Sequence, residues 1–139
     1  MRRQDKYPTT STFKYENLNP RNRITEDCVI RALARFLDKS WEEVLTDLTN
    51  LAINETGYDP QGRKNMSVYL DRVGATKHAM PTKPNGTKYS VMEFVDDHRT
   101  GTYLISIASH ITVLKDGKIR DIWDVSLSHR RVGNYWTKD

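Results

Sequence analysis

A chain of 139 residues, 37% of them hydrophobic, can fill one core but not two, and it has no apolar run long enough to span a membrane. One cysteine excludes an intramolecular disulfide and fits a reducing, cytoplasmic setting, and the opening residues lack the apolar stretch of a secretory signal. The net charge of +4 lies entirely in residues 1–23, where six basic side chains face two acidic ones, so the remainder is neutral.

Those first 23 residues read as a basic N-terminal arm ahead of a single domain over 24–139. The plain reading of such an arm is a solvated tail. The sharper one is a nucleic-acid or acidic-partner contact through Arg2, Arg3 and Lys6. After it, Thr25 is placed to cap a helix starting at Glu26, with Ile30, Leu33 and Leu37 on one face. Ser40 and Glu43 form a capping box for a second helix whose stripe is Trp41, Val44, Leu45, Leu48 and Leu51, ended by Gly57 and Pro60. A third helix is expected over 66–73. A loop rich in proline and glycine follows, with a short strand near 77–80, and Ser90 and Glu93 open a short helix running to Asp97.

From Thr102 the hydrophobic period changes from helical to alternating. TYLISIA, HITVLKD and KIRDIWD read as three strands, the last two joined through Asp116-Gly117, and RRVGNYW reads as a closing strand. Helices first and strands after predict an α+β domain, with N-terminal helices packed on a C-terminal antiparallel sheet.

Cys28 falls in the first turn of the first helix, where unpaired N–H groups favour a thiolate, while Glu26 and Asp27 oppose it. A thiol so placed needs an imidazolium to become a nucleophile. Of four histidines, His110 opens a strand and is held by sheet backbone, which suits a general base. The acid that would orient it is Asp121 if the Asp116-Gly117 turn has two residues, or Asp124 if the turn is bulged. One cysteine and four scattered histidines show no paired spacing for a metal, and nothing calls for a cofactor.

A cysteine opening a helix, a distant histidine opening a strand, and the run IRDIW on the next strand together resemble the papain-like cysteine peptidase superfamily. The overall length is similar to that of bacteriocin-processing (double-glycine) peptidase-like small proteins of bacteria and phages. The resemblance implies a papain-like fold and a Cys28–His110–Asp121 triad, since Asp121 stands where papain has asparagine. It also implies an oxyanion donor six residues before the cysteine, where this chain has Asn22 in place of glutamine. The expected activity is thiol-dependent acyl transfer on a protein or peptide, by a peptidase or a related deamidase or transglutaminase. The expectation from another class is a non-catalytic binding or anti-defence module that uses the basic arm.

Overall fold

The computed structural model describes residues 1–138. Its elements in chain order begin with a short helix α1 (Arg3–Lys6), a strand β1 (Phe13–Tyr15), and helices α2 (Cys28–Leu37) and α3 (Trp41–Leu51). A π-helical turn over Ala52–Thr56 extends α3, and α4 (Arg63–Arg72), β2 (Thr76–His78) and α5 (Val91–Asp97) follow. The chain then runs through β3 (Thr102–Ile107), β4 (His110–Lys115), β5 (Lys118–Asp121), a 3-10 turn at Val125–Leu127, and β6 (Tyr135–Thr137).

The result is a mixed α+β fold around one six-stranded open sheet of order β1-β5-β4-β3-β6-β2. The expected antiparallel sheet is modified at one edge, because β1 joins β5 in parallel, with Phe13 beside Ile119 and Tyr15 beside Asp121. The sheet is buried on both faces. Leu104, Ile111 and Val113 meet Ile30, Leu33, Phe36 and Leu48 of α2 and α3, whereas Ile105, Ile107, Leu114 and Ile119 meet Phe13 and the α5 residues Val91, Phe94 and Val95. A strand buried on both sides loses its clean apolar-polar alternation, which is why β4 reads as nearly continuous Ile-Thr-Val-Leu.

Segment 1–23 is therefore not an arm beside a domain. Phe13 has no exposed surface, the Ile119 N–H donates to the Thr12 carbonyl, and the Glu16 N–H donates to that of Asp121, both at 2.9 Å. The segment stitches the strand that carries Asp121 into place.

Both predicted capping boxes form, at Ser40/Glu43 and Ser90/Glu93. The first helix, however, starts two residues later than the Thr25 cap implies. Asp27 occupies the cap position, its side chain makes no capping bond, and Cys28 becomes the first helical residue. The reason is that the Asp27 carboxylate is committed elsewhere, to Arg31, Asn19 and Trp41.

Candidate active site

The turn at Asp116-Gly117 fixes which side chains meet. Lys115 pairs with Lys118 and Leu114 with Ile119, so the loop has two residues, and both have positive φ, 49° and 80°. A side chain at position 117 would press the Arg99 carbonyl at 3.2 Å, so glycine suits the position on both counts. That register sets Asp121 on the same face as Thr112 and His110. His110 Nε2 lies 2.7 Å from Asp121 Oδ2, and the Thr112 hydroxyl donates to the same oxygen at 2.7 Å.

With Nε2 turned to Asp121, the other ring nitrogen, Nδ1, is left for the Cys28 thiol, which is paired with the imidazole. Trp123 covers the ring, with centroids 5.3 Å apart, and the Arg130 guanidinium lies over the indole in turn. Burial pushes the Cys28 thiol up. His110, the Ile111 backbone and the Arg31 charge outweigh it, leaving the pKa below its ordinary 9.0. Burial opposes the charged form of His110 as well, yet hydrogen bonding to Asp121 and Cys28 lifts its pKa to about 9. Both shifts move the pair towards thiolate and imidazolium.

Asp121 is held as a carboxylate. Burial resists that form, but His110, Arg31 and Thr112 bring its pKa down. Its Oδ1 accepts from Arg31 Nη1 at 2.9 Å and from the Ile122 N–H at 2.7 Å, so both oxygens are doubly hydrogen-bonded. Arg31 continues the chain, donating from Nε to Asp27 Oδ1 at 2.7 Å. Asp27 Oδ2 is filled by Trp41 Nε1 at 2.9 Å and Asn19 Nδ2 at 3.1 Å. Asp27, Arg31, Asp121 and His110 are all buried. The sequence alone assigns no role to Arg31 and gives Asp27 only that of a charge opposing the Cys28 thiolate. The signal available was the i, i+4 Asp-Arg spacing opening an otherwise apolar helix face.

Two candidates fall elsewhere. Asn22 sits in an exposed turn with φ 54°, and it is not among the residues lining the cleft above Cys28, so it is not placed as an oxyanion donor. Asp124 lies beyond β5, which ends at Asp121, and caps the 3-10 turn, accepting from the Ser126 N–H at 3.0 Å and its hydroxyl at 2.5 Å. Arg2, Arg3 and Lys6 all have partners within the chain. Arg2 is tied to Asp5, Arg3 Nε donates to the Ile122 carbonyl at 2.6 Å, and Lys6 lies over the Tyr7 ring.

The cleft has a volume of about 390 Å³, with Cys28, His110, Trp123 and Ile122 beside Arg3 and Glu26. No side chain caps α2, so the Cys28 N–H at its first position can serve a developing oxyanion. Among the described residues, no group of three or more His, Cys, Asp and Glu side chains could hold a metal ion. No helix among them is long and apolar enough to cross a membrane.

No protein-family model matches the chain, and no curated protein or solved structure matches it either.

Proposed function

We propose that the protein is a thiol-dependent acyl-transfer enzyme of papain-like type, a small cysteine peptidase or a related deamidase or transglutaminase acting on a protein or peptide. The observation that carries this reading is the Cys28–His110–Asp121 constellation, a thiol and an imidazole with pKa values moved towards the ion pair and an acid fixed on the far ring nitrogen. The Cys28 thiolate attacks the carbonyl carbon, and the Cys28 N–H receives the oxyanion. The His110 imidazolium gives its proton to the leaving amine as the C–N bond breaks, leaving a thioester. His110, now neutral, takes a proton from the incoming water or amine, and the thioester collapses to product and free thiolate.

The test needs no known substrate. Iodoacetamide should alkylate Cys28 at neutral pH about ten times faster or more than it alkylates a free thiol, since the thiolate is the attacking form. His110→Ala should remove that advantage. Wild-type protein that reacts like an ordinary thiol would overturn the enzyme reading and favour the non-catalytic binding module. Incubating an active preparation with a peptide library then separates the outcomes by mass: chain cleavage, loss of ammonia from a glutamine, or addition of an amine.

A further inference from the structure

The geometry points to Arg31 as a positioning and charge-balancing residue of the triad, one that keeps Asp121 a carboxylate while the proton moves between His110 and the reacting groups. This inference rests on the reading of Cys28 and His110 given above.

A buried carboxylate needs a cation in constant attendance. His110 cannot be that cation throughout, because it becomes neutral when it hands its proton to the leaving group. At that moment Asp121, 2% exposed, would face an uncharged ring. The proton could then settle on the carboxylate instead of cycling. Arg31 removes the problem, since a guanidinium does not titrate, and its Nη1 holds Asp121 Oδ1 at 2.9 Å while His110 uses Oδ2. Its orientation is set from behind, because Nε is clamped by Asp27 Oδ1 at 2.7 Å. Arg31 also lines the cleft beside Cys28, so its charge favours the thiolate directly.

With Cys28 as thiolate and His110 as imidazolium, the cluster holds two cations, Arg31 and His110, against three anions, Cys28, Asp27 and Asp121. Removing Arg31 leaves one against three, and every acidic group then binds its proton more tightly. The other charges facing the pair are Arg3 and Glu26 on the cleft wall, and Arg130, which reaches it only across Trp123.

The experiment is the pH dependence of Cys28 alkylation by iodoacetamide. In Arg31→Met the acid limb should move up by about one pH unit, from loss of a nearby opposite charge. Asp27→Asn removes an anion from the same cluster, so its limb should move down or hold. Arg31→Lys keeps the charge but reaches one carboxylate only, and should fall between wild type and Arg31→Met. A purely structural role predicts slower alkylation in Arg31→Met and Asp27→Asn with both limbs unmoved, and that result in folded protein overturns the inference. If Arg31→Met does not fold, Arg31→Lys and Asp27→Asn decide. An upward displacement in Arg31→Lys with Asp27→Asn displaced downward or unmoved supports the inference, and any other pattern sinks it. Failure of the enzyme reading looks different, because the wild type itself would then show no depressed acid limb.

Discussion

The coupling of Cys28 to His110 has a consequence for stability as well as reactivity. An ordinary histidine titrates near 6.5, and in the fold His110 is raised to about 9. Its contribution is therefore fully present below pH 6.5 and is lost as the pH rises through about 9. Cys28 is depressed from 9.0, so its contribution is present above pH 9.0 and is lost as the pH falls through the folded value. Between pH 6.5 and 9 these slopes oppose. Where the two windows overlap, the gain from one group offsets the loss from the other, so the pair's net pH dependence is smaller than that of His110 alone. Cys28→Ala removes one half and leaves Asp121 to raise His110. Denaturant melts across that window should show the variant losing stability relative to wild type as the pH increases, and parallel curves would argue against the ion pair.

Elements matter here chiefly through register and edges. The two-residue hairpin at Asp116-Gly117 selects Asp121 over Asp124, because side chains alternate along β5 and a one-residue slip would exchange the faces. Strand β1 is the less obvious participant. It has three residues, the middle one exposed Lys14, too short for a periodic signal, yet Phe13 is fully buried and the strand flanks Asp121. Phe13→Ala should cost about 3–5 kcal/mol through the cavity it leaves, read as a lower denaturant midpoint. Because β5 loses its neighbour, alkylation of Cys28 should slow with it. A full loss of stability with unchanged alkylation in the folded fraction would separate β1 from the site. The late start of α2 belongs to this scale too, since the Asp27 side chain at the cap position pairs with Arg31 instead of capping the helix.

Across the whole molecule the site is an assembly of distant parts. Cys28 and Arg31 come from α2, His110 and Thr112 from β4, and Asp121 from β5, with the N-terminal segment fastening the far side. Arg3 binds the Ile122 carbonyl, and Glu16 forms a two-bond pair with Arg35 of α2, both at 2.8 Å. Deleting residues 1–16 should broaden thermal unfolding and abolish fast Cys28 alkylation. A sharp transition and wild-type reactivity in the truncated chain would show that the segment is dispensable. Any role of Arg2, Arg3 and Lys6 in binding polyanions is then better tested by glutamine substitutions than by truncation, with salt-sensitive binding as the readout.

Local chemistry in the sequence already determined the two capping boxes, the Asp116-Gly117 hairpin, the change from helices to strands, and the set of groups able to form a triad, because each rests on residues within a few positions of one another. Cys28, His110 and Asp121 were legible as candidates for the same reason. What only the tertiary structure decided is which of them meet and what stands behind them. Asn22 is exposed, Asp124 is spent on a turn, the supposed arm supplies an edge strand, and Arg31 lies between two buried carboxylates. Residues 31 and 121 are ninety positions apart, and no periodicity or motif reports that one guanidinium serves both Asp27 and Asp121. That pairing arises from burying α2 against β4 and β5, where a charge taken out of water must find its partner.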